Sequence, residues 1–271
     1  MSNHSTEKRV WTLAGGILSI INLAVYGLVY YFEPFGPFSD RLILNLQTIL
    51  TSAFAAIILT VVIGFFQAGE PPQRIWASFA GAVWCWTVGE VIWAGYNLTV
   101  VEVPDFSVAD VFWFFGYIFL TASILRQYQL IYVDQVNSLR STAAMVWVFS
   151  IMMTAMILSF VGTQNILVDF PGVFYPIADF FVASAALALV IIFRSGSLAY
   201  PWLSLFAFVV ADSLYVWATM SGVYNYEMTR SVINMLVDGS YLLAYSILGW
   251  GGFQQFLLMK FGVSVPATQE E

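Results

Sequence analysis

The residues in this chain able to do chemistry are carboxylates set in apolar surroundings, with tyrosines at helical spacing from them. Glu90 lies in the run Trp86-Thr87-Val88-Gly89-Glu90 and Asp212 in Val209-Val210-Ala211-Asp212-Ser213. A charged carboxylate at the centre of a membrane helix costs about 2.5–3.5 kcal/mol on insertion scales, so such acids default to binding or proton-handling roles. Their alternative role is to tie helices together as hydrogen-bonded, protonated groups. Four more aspartates, Asp40, Asp110, Asp179 and Asp238, stand near the starts of apolar runs. There a carboxylate also caps exposed amides and meets the positive end of the helix dipole, worth about 0.3–1 kcal/mol. Ser107-x-x-Asp110 reads as a capping box.

Spacing groups these acids with aromatic partners. Asp110, Trp113 and Tyr117 fall at i, i+3 and i+7, on one face of a helix, and Asp238, Tyr241 and Tyr245 repeat that face. The two sets are 128 residues apart, and Tyr96-Asn97 matches Tyr224-Asn225 at the same offset. One shared offset implies a duplicated unit of about half the chain. A phenol below a carboxylate can share a ligand with it or satisfy it directly. Glu90 and Asp212 do not match at this offset, which predicts a site symmetric at its rim and asymmetric at depth. The candidate ligand-binding set is therefore Glu90, Asp212, Asp110, Tyr117, Asp238, Tyr245 and Asp179.

Other chemistries are excluded by composition. The one histidine, His4, precedes the first apolar run, which removes haem and zinc–histidine sites and imidazole relays within the membrane. A single cysteine, Cys85, forms no internal disulfide. No nucleophile elbow, phosphate loop or His-Glu-x-x-His motif is present, so the acids offer general acid–base groups but no enzyme motif. Carboxylates suit Ca²⁺ or Mg²⁺, but nothing in the sequence fixes a metal's coordination or identifies a cofactor. No basic run points to nucleic acid. A retinal Schiff base needs a mid-membrane lysine, and the only lysines, Lys8 and Lys260, lie at the edges of apolar runs.

The elements that must position these residues are membrane helices. The chain is 60% apolar and 9% charged, with a mean hydropathy of +0.82; soluble domains carry roughly 25% charged residues. Eight runs can cross a core of about 30 Å, which takes about 20 helical residues. They are Val10–Tyr31, Arg41–Phe66, Ile75–Tyr96, Val108–Ile131, Thr142–Gly162, Pro176–Phe193, Tyr200–Gly222 and Ser231–Met259. None alternates as a barrel strand does. The first is too long for a cleaved signal, whose apolar part is about 7–15 residues. Lys8, Arg9, Arg74, Arg126, Arg140, Arg194 and Lys260 fall on one side, and only Arg41 and Arg230 on the other. The basic side is cytoplasmic. The expected fold is thus an all-α polytopic bundle of eight transmembrane helices in a cell (inner) membrane, with both termini cytoplasmic. It is one membrane domain over residues 1–271, built from four-helix repeats 10–131 and 142–259. An even number of spans per copy makes the duplication parallel, about an axis along the membrane normal.

The stretches Ser107-Val108-Ala109-Asp110-Val111-Phe112-Trp113-Phe114-Phe115-Gly116-Tyr117 and Tyr175-Pro176-Ile177-Ala178-Asp179 resemble the multi-span membrane sensor modules that precede PAS, histidine-kinase or diguanylate-cyclase domains in prokaryotic signalling proteins. The resemblance runs over about Trp76 to Gly249. It implies a sensor-like module that binds a small ligand or cation at an outward-facing carboxylate and aromatic site. No output domain follows Lys260 in this sequence, so signalling implies a separate partner, or a homo-oligomer, within the lipid bilayer. Two other functions fit the same residues: a proton- or cation-coupled transporter using Glu90 and Asp212, and a structural or assembly subunit with no small-molecule site.

Overall fold

The computed structural model describes residues 3–99, 106–131, 170–193, 198–224 and 231–262, all of them in helices or the turns between helices. In chain order the helices are α1 (Asn3–Phe32), α2 (Pro37–Ile63), α3 (Pro71–Thr99), α4 (Val108–Ile131), α5 (Phe170–Ile192), α6 (Tyr200–Leu203), α7 (Leu205–Met220) and α8 (Val232–Phe261). Lipid offers the backbone no hydrogen bonds, so apolar runs satisfy their own amides and carbonyls as helices. Six segments are long and apolar enough to cross a membrane, as a multi-pass membrane protein requires: Thr6–Phe32, Pro37–Ile63, Pro71–Thr99, Val108–Ile131, Tyr200–Thr219 and Val232–Phe261. Ile177–Ile192 is a shorter apolar helix. The expected span Thr142–Gly162 lies outside the described residues.

Helix ends follow local chemistry. Pro37 and Pro71 open α2 and α3, where a missing N–H costs nothing. Ser231 caps α8, its hydroxyl accepting from the Asn234 amide. Gly262 closes α8 at φ 74°, a left-handed conformation that glycine adopts without strain, and its N–H donates to the Leu258 carbonyl at 2.8 Å.

Helices α1, α2, α3 and α5 all begin earlier than their expected spans, and the last of these bears on the site. Pro176 reads as the beginning of a span, but α5 begins at Phe170 and runs through it. Asp179 is therefore well inside a helix, and dipole capping does not account for it. Asp238 is likewise two turns beyond its cap, whereas Asp40 and Asp110 do sit in first turns.

The helices close on one another in the order α2, α3, α4, α5, α7, α8 and back to α2. Helix α1 lies outside this ring against α8 and α2, and α6 bridges α5 and α8. Large apolar side chains on the outer faces, such as Leu18, Ile20, Leu50 and Val210, are exposed, as a lipid-facing surface requires. At the centre, Trp202 is 1% exposed and stacks on Phe79 with ring centroids 5.1 Å apart, beside Trp76.

Candidate functional site

Each helix of the ring carries one carboxylate. These are Asp40 on α2, Glu90 on α3, Asp110 on α4, Asp179 on α5, Asp212 on α7 and Asp238 on α8. Asp40 serves its own helix end, accepting from the Phe35 amide at 3.3 Å. The other five each accept a hydrogen bond from at least one tyrosine on another element.

At one end of the bundle, Asp110 Oδ2 accepts from the Ser107 amide and hydroxyl, both at 2.7 Å, which forms one half of the expected capping box, while the Asp110 amide donates to the Ser107 carbonyl and not to its hydroxyl. Its Oδ1 accepts from Tyr175 of α5 at 2.7 Å. Asp238 accepts from Tyr224 at 2.9 Å and from Tyr30 of α1 at 3.2 Å. Tyr224 lies in the turn beyond α7. Burial, reinforced by the Asp238 carboxylate, pushes its phenol well above the ordinary value, so it stays a donor.

Deeper in the bundle the phenols cross between helices. Tyr245 of α8 donates to Glu90 of α3 at 2.8 Å, and the Trp113 indole N–H of α4 also reaches Glu90. Tyr241 of α8 donates to Asp212 Oδ1 of α7 at 2.5 Å. Tyr117 of α4 lies between two acids, 2.5 Å from Asp179 Oδ1 and 3.5 Å from Asp212 Oδ2. Tyr117, Tyr245, Asp110 and Asp179 are buried, while Glu90, Asp212 and Asp238 are half-buried.

All seven residues singled out from the sequence fall in this cluster. Their pairing differs from the simplest reading of the i, i+7 spacing. Tyr117 does not satisfy Asp110, nor Tyr245 Asp238, because a side chain seven residues along its own helix is two turns, about 10 Å, away. Each phenol instead meets an acid on a facing helix. Tyr30, Tyr175, Tyr224 and Tyr241 are donors that sequence reasoning did not place in the site. Of these, Tyr241 carried a signal, since it shares the Asp238 and Tyr245 face. Tyr224 carried one too, as the repeat partner of Tyr96, whereas Tyr30 and Tyr175 come from α1 and α5 with no spacing to the acid that they meet. Tyr96-Asn97 and Tyr224-Asn225 do not occupy matching places: Tyr96 is inside α3, Tyr224 follows the end of α7, and Asn225 lies outside the described residues.

The seam between α3 and α4 fixes the Glu90 end of the cluster. Gly89 of α3 leaves room for Trp113, whose Nε1 would lie 2.4 Å from an added Cβ. Gly116 of α4 leaves room for Trp86, whose Nε1 would lie 2.2 Å from one. The space is used, because the Trp86 N–H donates to the Trp113 carbonyl at 3.1 Å. Gly116→Ala should therefore destabilise the protein by about 1–3 kcal/mol, as overpacking of a rigid ring does. Melting in detergent with tryptophan emission as the probe reads both effects. An unchanged melting temperature and spectrum would show that the ring is free to move aside.

Among the described residues, no ion pair reaches these carboxylates, and no three His, Cys, Asp or Glu side chains gather as a metal site would require. The arrangement holds its carboxylates by neutral donors alone among the described residues. No protein-family model matches the chain, and no curated protein and no solved structure matches it either.

Proposed function

We propose that this chain is a sensor-like membrane module that binds a small ligand or cation at the carboxylate–phenol cluster inside its helix ring. One observation carries the reading: five helices each direct a carboxylate to a tyrosine of another element, with no basic side chain among the described residues to neutralise them. Carboxylates withdrawn from water without a counter-charge recruit either a cation or protons.

The reading includes the eight-span, parallel 4+4 architecture with both termini cytoplasmic in a cell membrane, and a separate signalling partner. The neighbour pattern supports the duplication, since α2–α3–α4 is followed around the ring by α5–α7–α8. So does the hydrogen bonding. Tyr241, at i+3 from Asp238, donates to the acid of the preceding long helix, Trp113, at i+3 from Asp110, faces Glu90 of its own preceding helix, and Tyr117 and Tyr245, at i+7, reach the acid of the other half.

The test is thermal unfolding of the purified protein in sodium, potassium, calcium and tetramethylammonium chlorides, with the Asp212→Asn protein alongside. A cation that binds only the folded state stabilises by about 2.7 kcal/mol at a hundred times its dissociation constant. One of these cations should raise the wild-type melting temperature saturably and leave the variant unmoved. Equal responses of the two proteins to all four salts would end the cation reading.

A second reading, proton- or cation-coupled transport through Glu90 and Asp212, is favoured by the half-buried state of both acids and by their mutual electrostatic influence. Flux in liposomes separates it from sensing.

A further inference from the structure

The donors and acceptors around Asp179 and Asp212 do not balance if both are ionised. Asp212 accepts from Tyr241 at Oδ1, with the Tyr117 oxygen 3.5 Å from its Oδ2. Asp179 accepts the one Tyr117 hydroxyl hydrogen at Oδ1, 2.5 Å away. Its Oδ2 is buried with no partner among the described residues, although the residue is only 3% exposed. The Tyr117 hydroxyl, within 3.5 Å of both, sets the Asp212 carboxyl beside that of Asp179. Two carboxylates cannot bond to each other, because an ionised carboxylate only accepts.

We propose that Asp179 and Asp212 together form a proton-binding site that holds one proton, carried on Asp179 and donated to Asp212. The proton makes an O–H bond at Asp179 Oδ2, turning a buried oxygen without a donor into a donor with an acceptor beside it. Asp212 keeps the negative charge, which the Tyr241 hydroxyl stabilises at Oδ1. Like-charge repulsion between adjacent buried carboxylates is removed by the same step.

The groups facing the pair come from several helices. They are Glu90 of α3, Tyr117 of α4, Tyr175 and Tyr215 of α5 and α7, and Tyr241 and Tyr245 of α8, with Asp110 held off by its bonds to Ser107 and Tyr175. None is basic, so a proton is the positive charge this set of side chains itself provides for. The proposal deepens the cluster reading above: it assigns one of the cluster's acids to a proton and leaves Asp212 as the residue that answers to it.

Infrared difference spectra of the detergent-solubilised full chain, free of added cations, test it. A neutral carboxylic acid and a carboxylate absorb in separate regions. Asp179→Asn should lose one neutral-acid band that shifts in deuterium oxide, with carboxylate intensity unchanged. Its fold should persist, because the amide N–H₂ can donate to Asp212 as the carboxylic acid did, and its carbonyl can accept from Tyr117. Asp179→Glu should instead shift the acid band and leave carboxylate intensity unchanged, and it decides the matter by itself if the first variant does not fold. Loss of carboxylate rather than acid intensity in Asp179→Asn, or a shifted carboxylate band with an unmoved acid band in Asp179→Glu, overturns the proposal. The readout needs no ligand, so a protein indifferent to all four cations yet showing this pattern loses the binding reading and keeps the proton.

Discussion

Asp212→Ala is expected to destabilise the bundle severely, and Asp212→Asn to leave it close to wild type. Truncation removes the only partner of the Tyr241 hydroxyl among the described residues and the group that faces Asp179, while Tyr117 retains its bond to Asp179. Each buried polar group stranded in this way costs about 1–3 kcal/mol, and the membrane interior provides no water to relieve it. The amide keeps the size of the carboxylate and an oxygen that accepts from Tyr241. The measurement is the melting temperature of the two variants in one detergent. Equal melting would show that Asp212 contributes charge but no structural hydrogen bond, which the 2.5 Å Tyr241 contact argues against.

Trp202→Ala is expected to be the most damaging substitution in the core, at about 3–5 kcal/mol. Trp202 is among the largest fully buried side chains, and Phe79 and Trp76 both pack against its ring. Helices in lipid gain little from burying apolar surface against one another, so close packing carries their association, and a void of indole size removes it locally. The loss should appear as a lower melting temperature with the Glu90 end of the cluster perturbed, since Phe79 and Glu90 share α3. Trp202→Phe, which refills most of the space, should recover much of the stability. If Trp202→Ala melts like wild type, the stack is not a source of cohesion.

Much of the helical layout was legible in the sequence, because runs of about 20 apolar residues bounded by Gly, Pro and Asp have few alternatives in a chain this poor in charge. Val108–Ile131 coincides with α4 from end to end. Asp179 was harder to place: a proline was read as the start of its helix, and the helix instead begins six residues earlier, at Phe170. The two deep acids were harder still. Trp86 and Phe208 are in ring contact at 4.8 Å, and Trp86 packs on Tyr117 as Phe208 packs on Tyr245. Trp86 to Phe208 and Glu90 to Asp212 are both steps of 122 residues, whereas Asp110 to Asp238 is a step of 128. On the duplicated reading, Glu90 and Asp212 would be counterparts, and the shift of six residues divides between a connection from α7 to α8 three residues longer than that from α3 to α4 and a deeper position of Asp238 in its helix than of Asp110. A search at one fixed offset cannot see a pair displaced by an insertion. Which phenol meets which acid was beyond the sequence altogether, because it depends on how facing helices are rotated.

The reciprocal placement of Trp86 against Gly116 and Trp113 against Gly89 also has a mechanical meaning. Two interlocked wedges act as a key in a slot, and sliding α3 along α4 by one residue would drive each indole into the opposing backbone. These helices therefore tilt and translate as a single stiff plate. Across the α4, α5 and α7 seams, Asp179 and Asp212 are held by hydroxyl hydrogens, which rotate and re-form without steric cost. Strain introduced anywhere in the ring is relieved on that compliant side, and the stiff plate serves as the fixed wall against which it moves.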